Sequence, residues 1–429
     1  MARKAGGSTG TGSRPTGEIR VTMYDVGFGD CFLLSFGYGD GGYRHVLIDC
    51  GSSTERKDHM AEVVSQIAKD CQGRLHGLVV THRHSDHLSA FGLTDVGKAL
   101  EALRPDIVVQ PWTEHPDAKT KASEAPSVFT GTALAHLDNL AAAQSFAQQF
   151  TADSARLLRG VGMAMRQQVT FIAGLSIPNK AAVERLQGMG KRHAYVYYGS
   201  HSGLDRVLPG VKVTVLGPPT LKQSEQIRHQ TQSDPSEFWK LRARLAAAAA
   251  EQHSQARGTS VLFPRAHTSS IAASPSYVKW AINKLDRASV ENMSRIVREM
   301  DDALNNTSVV LLFEVGGKML LFPGDAQLEN WQYALHDKAM AKHLQTTSLH
   351  KVGHHGSTNA TPKKLLWEAF RNRGPKGKRG RLVALLSTKP GKHHDVPRQS
   401  LVTALGDETD LHSTQDWGKH RQLSETYIL

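Results

Sequence analysis

The sequence predicts an α/β protein whose strands lead into polar turns that can bind metal. Two observations support this class. Short apolar segments, typical of buried strands, are each followed by a turn that contains histidine or aspartate. Segments with leucine and alanine at helical spacing lie between these strands. We therefore expect the functional side chains to lie in loops beyond the strand ends.

The first of these strands precedes the most informative motif in the chain. Apolar residues 75–80 predict a buried strand, and the motif T-H-R-H-S-D-H follows at residues 81–87. Side chains two positions apart on an extended chain lie on the same side, so His82 and His84 can bind one ion. If Ser85 is the N-cap of a helix that begins at Asp86, then Asp86 and His87 face a second ion.

These residue types also indicate the kind of ion. Neutral imidazoles and a carboxylate suit zinc, manganese or iron, and they suit calcium poorly. The alternative is a solvated histidine-rich turn, but four specified positions within residues 82–87 rarely recur by chance. The motif thus predicts neighbouring metal sites in one loop.

A predicted hairpin supplies a further candidate ligand. Apolar residues 309–315 and 318–322 flank Gly316 and Gly317, a pattern typical of two strands joined by a tight turn. The second strand ends at Asp325, which is then placed to bridge two ions. Taken alone, a Gly-Asp pair usually marks only a turn.

A pair of histidines follows this hairpin. A helix is predicted through Trp331 and Leu335, and after it His354 and His355 stand between glycines, where the backbone can turn tightly. By itself a histidine pair is usually a polar loop. In this order after the first motif, one of the two is expected to complete the second metal site.

Five motifs of the chain occur in an order that matches a known family. They are Y-D-V-G-F-G-D-C at 24–31, L-I-D-C-G at 47–51, T-H-R-H-S-D-H at 81–87, F-P-G-D-A at 322–326 and K-V-G-H-H-G-S at 351–357. With them the chain resembles the metallo-β-lactamase fold, specifically the hydrolase domain of ComEC-type DNA-uptake proteins and their soluble relatives. A weaker sixth match is H-H-D-V-P at 393–397.

The resemblance implies a four-layer αβ/βα sandwich with helical insertions, and two divalent ions, Zn²⁺ or Mn²⁺, at one edge of the sheets. It implies the metal ligands His82, His84, Asp86, His87, Asp325 and His354, with Asp325 bridging. His354 is preferred to His355 because the single late ligand of the family usually precedes one bulky residue and a glycine.

The resemblance also implies residues around the ligands. Asp25, Asp30, Asp49 and His355 are expected to support the ligands through hydrogen bonds. For Asp49, a polar residue that merely ends a strand is an equal alternative. Asp86, His87 and His394 are the expected catalytic residues, and the expected substrate-binding residues are Lys351, Ser357, His393, His394, Arg379 and Arg381.

The chain departs from the wider superfamily at one position. A further histidine is expected between the first motif and the bridging aspartate, and His115, His136, His193 and His201 all lack its usual glycine-rich surroundings. ComEC-type domains share this lack and resemble the chain at residues 305–308, where an asparagine could contact the site. Turn formation is the preferred interpretation of that segment.

Composition narrows the substrate class. The formal net charge is +12, and such an excess favours encounter with polyanions, so nucleic acid, above all DNA, is the expected partner. Basic residues gather near the N-terminus and in residues 371–381. If that loop borders the metals it can hold a phosphate backbone, and an ordinary solvated loop is the alternative.

These observations lead to one preferred function and two alternatives. The preferred one is a metal-dependent nuclease or phosphodiesterase that acts on DNA through water activated by two metals. The alternatives are a metallohydrolase for a lactone, thioester or β-lactam, and a partner-dependent component of a multiprotein complex. By analogy, the resemblance to soluble ComEC-like proteins implies a bacterial mobile-element or phage-defence setting.

One catalytic domain over residues 20–429 is predicted, after a flexible basic tail at 1–19. Helical insertions are expected at about 115–200 and 222–304, and they offer surfaces for a protein partner. No stretch of about 18 apolar residues predicts a membrane span. The three cysteines are few and odd in number, which favours free thiols in the cytoplasm.

Overall fold

In the computed structural model, the described residues are 14–116, 180–220, 223–224, 304–389, 391, 396–417 and 422–429. The predicted insertion helices at 134–150, 237–250 and 277–304 therefore lie outside the described residues, apart from Leu304. His393 and His394 also lie outside them. Among the described residues, no helix has both the length and the apolar character needed to cross a bilayer.

The first sheet is mixed and has seven strands in the order β13-β1-β2-β3-β4-β5-β6. Its strands are β1 (Pro15–Tyr24), β2 (Phe32–Tyr38), β3 (Tyr43–Ile48), β4 (Gly77–Val79), β5 (Ile107–Pro111), β6 (His193–Val196) and β13 (Ser424–Ile428). The strands β13, β1, β2 and β3 pair antiparallel. The strands β3 to β6 run parallel, so their carboxyl ends meet at one edge.

The second sheet is also mixed and has six strands in the order β12-β11-β10-β9-β8-β7. They are β7 (Lys212–Gly217), β8 (Val310–Val315), β9 (Lys318–Phe322), β10 (Leu349–Lys351), β11 (Val383–Leu386) and β12 (Asp410–Ser413). The predicted hairpin is present as β8 and β9, and both residues of its turn, Gly316 and Gly317, have positive φ. From β9 to β12 the strands are parallel.

Seven α-helices occur in the described part of the chain. They are α1 (Lys57–Asp70), α2 (Ser85–Gly92), α3 (Thr94–Glu101), α4 (Lys180–Gly188), α5 (Leu328–Ala334), α6 (Lys338–Leu344) and α7 (Gln399–Glu408). The apolar spacing explains which face each helix buries. In α1 the buried residues are Met60, Val63, Val64 and Ile67, one stripe at helical spacing.

Three apolar clusters join these elements into layers. The central cluster lies between the two sheets and brings Phe32 of β2 against Phe322 of β9, with ring centroids 5.8 Å apart. A second cluster packs α1 to α4 on the first sheet, and a third packs α5 to α7 on the second. The predicted α/β class is confirmed, and the packing is compatible with a layered sandwich.

The boundaries differ from those predicted in two places. The strand β1 begins at Pro15, so residues 15–19 belong to the sheet although composition assigned them to the tail. Contacts in the tertiary structure explain why these residues join the sheet, because Ile19 pairs with Phe36 of β2 and is fully buried. Within the expected insertion at 115–200, residues 180–188 form α4 and residues 193–196 form β6, the edge strand of the first sheet.

One buried histidine in β10 offers a test of core packing. His350 is fully buried, neither ring nitrogen has a hydrogen-bond partner among the described residues, and its ring lies 5.3 Å from that of Phe370. Burial, and then the charge of Lys351, lower its pKa from 6.5 to about 3. The folded protein therefore binds fewer protons than the unfolded chain between these two pH values.

His350→Leu is accordingly expected to raise the free energy of unfolding by about 1–3 kcal/mol at pH 7, because it removes unsatisfied buried nitrogens. In the wild type this histidine makes stability fall as the pH drops below 6.5, by up to about 1.4 kcal/mol per unit. The variant loses that part of the slope. Urea unfolding at pH 7 and pH 5 measures both effects, with exposed His201→Leu as control. A variant less stable than wild type at both pH values would show that the imidazole stabilises the core.

Candidate metal centre

Four buried side chains from the two sheets converge at one edge of the fold. They are Asp86, His87, Asp325 and His355, none more than 2% exposed, and their candidate ligand atoms all lie within 4.8 Å of one another. Asp86 and His87 follow β4 of the first sheet, whereas Asp325 and His355 follow β9 and β10 of the second. Neither sheet alone contains the group.

The distances within this group are those of atoms that can share an ion. His87 Nε2 lies 3.1 Å from Asp325 Oδ2. His355 Nε2 lies 2.9 Å from Asp86 Oδ2 and 3.7 Å from Asp325 Oδ2. Two ligands on one tetrahedral zinc, with bonds of about 2.0–2.1 Å, are separated by roughly 3.3 Å. The four side chains therefore form a set that could hold a metal ion.

The late histidine in this set is His355, whereas the resemblance implied His354. Both residues have positive φ, 44° for His354 and 48° for His355, within the short turn His354–Gly356. His355 Nδ1 lies 3.0 Å from the carbonyl oxygen of Ser387, and its ring packs 4.3 Å from that of Phe28. His354 instead donates its backbone N–H to Asp325 Oδ1 at 3.0 Å.

The two histidines make a matched pair for a binding experiment. We expect His355→Gln to weaken metal binding by at least about 100-fold, because it removes a candidate ligand, and His354→Gln to weaken it by less than about 10-fold. Competition with a chromophoric zinc chelator measures both affinities. A larger loss in the His354 variant would reverse the assignment and restore the expectation from sequence.

The glycine-rich motifs at 24–31 and 47–51 form the surface that receives the first turn of α2. Asp30 donates its backbone N–H to Asp86 O at 2.9 Å, and Cys50 donates to His87 O at 2.8 Å. At Gly51 a Cβ atom would lie 2.5 Å from the backbone nitrogen of His87. Only glycine permits this approach. The motifs thus position the loop that carries Asp86 and His87.

The start of α2 differs by one residue from the prediction. Ser85 is the first residue of the helix and His84 occupies the N-cap position without a side-chain capping bond. The backbone N–H groups of His87 and Leu88 reach the carbonyl oxygen of His84 instead. Asp86 still stands in the first turn, where a carboxylate is favoured by the helix dipole.

Asp49 holds the ring of His87 in place. Its carboxylate accepts hydrogen bonds from Thr81 N and Thr81 Oγ1, both at 2.7 Å, and Oδ2 lies 2.8 Å from His87 Nδ1. Asp49 itself has a φ of 57°, unusual for a residue other than glycine. With Nδ1 bound to this carboxylate, His87 presents Nε2 towards Asp325.

Lys351 lies behind the site and has no access to a substrate. It is 2% exposed, and its ammonium contacts Asp30 Oδ2, Gly324 O at 3.1 Å and Asp325 Oδ1 at 3.3 Å. Burial lowers the pKa of Lys351, but Asp30 and Asp325 outweigh it and raise the pKa. Lys351, expected to bind substrate, therefore contacts and positions Asp325 instead.

His82 and His84 form a separate pair beside the four-residue group. His82 Nε2 lies 2.9 Å from His84 Nδ1, and the His82 ring lies 4.2 Å from that of His87. Burial is the main cause that lowers the pKa of both, to about 4 for His84. Both imidazoles are therefore neutral near pH 7, the form that binds metals. Residues 305–308 form a turn in which Ser308 donates its backbone N–H to Asn305 O at 3.0 Å. Ser308 Oγ accepts a hydrogen bond from the backbone N–H of Asp325 at 3.1 Å, so this segment does contact the site.

The electrostatics of the four-residue group favour a cation. Burial lowers the pKa of His87 and His355, yet neighbouring carboxylates, Asp325 first, raise both above the ordinary histidine value. The pKa of Asp86 is held at about 2, mainly by His87 against the effect of burial. Asp86 Oδ1 is buried without a hydrogen-bond partner among the described residues. A divalent cation would satisfy this oxygen and the surrounding negative charge.

Asp30 and Asp25 have different positions relative to the ligands. Asp30 is buried, and its Oδ2 lies 3.7 Å from His87 Nδ1 as well as against Lys351. With Asp49 and His87 it makes a second group that could hold an ion. Asp25 instead accepts a hydrogen bond from the backbone of Gly27 at 2.9 Å, which shapes the loop.

Of three further expected substrate residues, Ser357 lies beside the candidate metal centre, directly after the turn His354–Gly356, and the two arginines lie elsewhere. Ser357 Oγ accepts a hydrogen bond from the backbone of Asn359. Arg381 pairs with Asp410 at 2.8 Å. Arg379 is exposed, but the basic loop 371–381 precedes β11, whereas Ser387 at the carboxyl end of β11 touches His355. The loop therefore lies at the opposite edge of the second sheet from the candidate metal centre.

Sequence reasoning missed several contacts that build the site. Arg83, inside the first motif, bonds Glu114 Oε1 through Nε at 2.8 Å and so fastens the loop to the turn after β5. Ser387 and Phe28 hold His355, as described above. The aromatic residue at 28 was visible within the first motif, but a carbonyl oxygen such as that of Ser387 carries no signal in sequence.

The fold and this site together define a mixed α/β protein with buried histidine and aspartate groups that could hold metal ions. A comparison with protein-family models gives no match, and a search of curated proteins gives no significant match.

Proposed function

We propose that the protein is a metal-dependent hydrolase of the metallo-β-lactamase fold, a nuclease or phosphodiesterase that acts on DNA with two divalent ions. The observation that carries the proposal is the buried group Asp86, His87, Asp325 and His355 at the carboxyl edge of both sheets. In many α/β enzymes the functional residues lie in loops at this edge of the sheets, and one such fold supports several different reactions.

Convergence of the motifs supports the choice of fold. The motifs at 24–31, 47–51, 81–87, 322–326 and 351–357 are separated by up to hundreds of residues, yet all of them contribute to one site. The layers of helices outside two facing sheets agree with a four-layer sandwich. The pair His82 and His84 beside the group is a candidate for a second ion.

Neighbouring residues of the chain hold the candidate ligands in fixed positions. Metal ions bound here would supply Lewis acidity and lower the pKa of a coordinated water. Asp49 fixes the ring of His87, the carbonyl oxygen of Ser387 fixes His355, and Lys351 fixes Asp325. Such fixed geometry avoids reorganisation during the reaction. Zn²⁺ or Mn²⁺ suits this set of imidazoles and carboxylates.

The proposed substrate rests on charge. The formal net charge of +12 favours a polyanion over a neutral lactone, thioester or β-lactam. Binding that weakens steeply with salt would be expected of DNA, because counterions are released from its phosphates. Most of the two insertions expected to bind a protein partner, residues 117–179 and 225–303, lies outside the described residues.

A cleavage assay tests the proposal. Purified protein is incubated with linear, circular and single-stranded DNA in Mn²⁺, Mg²⁺ or Zn²⁺, beside Asp86→Ala, His87→Ala. The matched control is Asp205→Ala, His201→Ala, which removes the same residue types at exposed positions. We expect metal-dependent cutting that is lost only in the site variant. Metal-loaded protein that cuts no DNA under any of these conditions would contradict the nuclease assignment.

A further inference from the structure

A cavity opens at the amino ends of the parallel strands of the first sheet. Arg44 lies at the start of β3, His76 precedes β4, Asp106 precedes β5 and Arg192 precedes β6, and all four line the cavity. Its volume is about 470 Å³, within the usual range for small-molecule sites. None of the sequence motifs supplies a residue to this cavity.

The cavity is distinct from the candidate metal centre. The strand β3 begins at the cavity with Tyr43 and ends at Ile48, immediately before Asp49. The five steps from Arg44 to Asp49 cover roughly 17 Å at about 3.3 Å per residue. One small ligand therefore cannot reach both sites.

Two of the arginines that line the cavity are fixed by protein contacts. Arg44 donates from Nη1 to Val207 O at 3.0 Å, and its guanidinium lies 4.8 Å from the ring centroid of Tyr38. Arg74 pairs with Asp106 at 2.9 Å. These contacts satisfy part of their hydrogen-bonding capacity and give the wall a defined shape.

The other two arginines have no such contacts. Arg192 and Arg206 both line the cavity and are exposed, and neither side chain forms an ion pair or hydrogen bond within the described part of the chain. A guanidinium presents donors in a fork that matches phosphate oxygens. Two such groups on one concave surface are suited to an anion with several oxygens.

His76 adds a neutral donor to this surface. Its Nδ1 accepts a hydrogen bond from the backbone N–H of His45 at 3.1 Å, so in the neutral ring the proton is on Nε2. Burial, then Arg74 and Arg44, lower the pKa of His76 to about 4. At neutral pH the imidazole therefore offers one N–H without adding charge.

The lining favours a small ligand over a nucleic-acid chain. Asp106 is neutralised by Arg74 and Lys191, but Asp40 places a carboxylate beside the arginines. A continuous phosphate backbone would have to pass this negative charge, whereas one phosphorylated end of a small molecule would not. Tyr43 supplies an aromatic side chain for the remainder of such a molecule. We propose that this cavity binds a small phosphorylated molecule, with its phosphate held by Arg192 and Arg206.

Calorimetric titration of the full chain tests this site. The probes are pyrophosphate, a nucleoside diphosphate and an eight-nucleotide single strand, all in EDTA so that the candidate metal centre contributes nothing. We expect the two small probes to bind. Arg192→Ala, Arg206→Ala should weaken this binding by at least about 10-fold, because charge-assisted hydrogen bonds to phosphate are lost. Asp86→Ala, His87→Ala should leave it unchanged.

Lys338→Ala removes one exposed positive charge on α6, away from the cavity, and should keep wild-type affinity. Both arginines are exposed, so the double variant should keep the wild-type circular dichroism spectrum. Absence of binding by both small probes would overturn the proposal, as would equal affinity in the double variant. Binding of the oligonucleotide alone would overturn the assignment to a small molecule.

Discussion

Asp325→Asn is expected to lower the metal affinity of the protein by more than about 100-fold, and with it to remove DNA cleavage. Even residues that only support a ligand change metal affinity by about 10- to 100-fold, and Asp325 lies at the centre of the group. Its Oδ2 is 3.1 Å from His87 Nε2 and 3.7 Å from His355 Nε2. An amide keeps the shape of the side chain but loses the charge.

Metal content after dialysis and zinc affinity by chelator competition measure this effect directly. The control is Asp205→Asn, an exposed carboxylate, which should retain wild-type affinity. Wild-type metal content in the Asp325 variant would show that the ion is held elsewhere. If Asp325→Asn loses metal but the wild-type protein cuts no DNA, the candidate metal centre is supported and the nuclease assignment is contradicted.

Lys351→Met is expected to lower the free energy of unfolding by about 3–5 kcal/mol, the usual cost of removing one partner from a buried ion pair. The ammonium of Lys351 contacts the buried carboxylates of Asp30 and Asp325. Methionine fills similar space but leaves these two buried carboxylates with only the neighbouring imidazoles as cationic partners. The loss is measured by urea unfolding of metal-free protein at pH 7.

A second substitution separates this charge effect from a packing defect. In Lys351→Met, Asp30→Asn, one of the two buried carboxylate charges is gone, so at least about 1 kcal/mol of stability should return. Lys338→Met, at an exposed position of α6, should change stability by less than about 0.5 kcal/mol. A double variant no more stable than Lys351→Met would attribute the loss to packing alone.

The order of strands and turns was predictable because it depends on local patterns. Residues 75–80 are apolar and contain β4, and Gly316 with Gly317 forms the turn between β8 and β9. Local sequence patterns do not predict the bounds of an element where contacts with other parts of the structure set those bounds. Ile19 joins β1 because β2 lies beside it. Ser85 enters α2 because His84 O accepts the first helical hydrogen bonds.

Within the candidate site, the sequence identified the residue types but not every position. Asp86, His87 and Asp325 come together as the motifs suggested. The choice between His354 and His355 depends on two consecutive left-handed residues and on a carbonyl oxygen of Ser387. Backbone conformation and contacts of this kind have no signature in a single sequence.

The sequence by itself determined that this chain is an α/β protein with a cluster of histidine and aspartate after buried strands, since periodicity and motif spacing are properties of neighbouring residues. Only the tertiary structure decided that His355 joins the candidate ligands, that Lys351 lies behind Asp325, and that the basic loop 371–381 is at the opposite edge. Each of these depends on how two sheets pack, which brings together residues that are far apart in the chain.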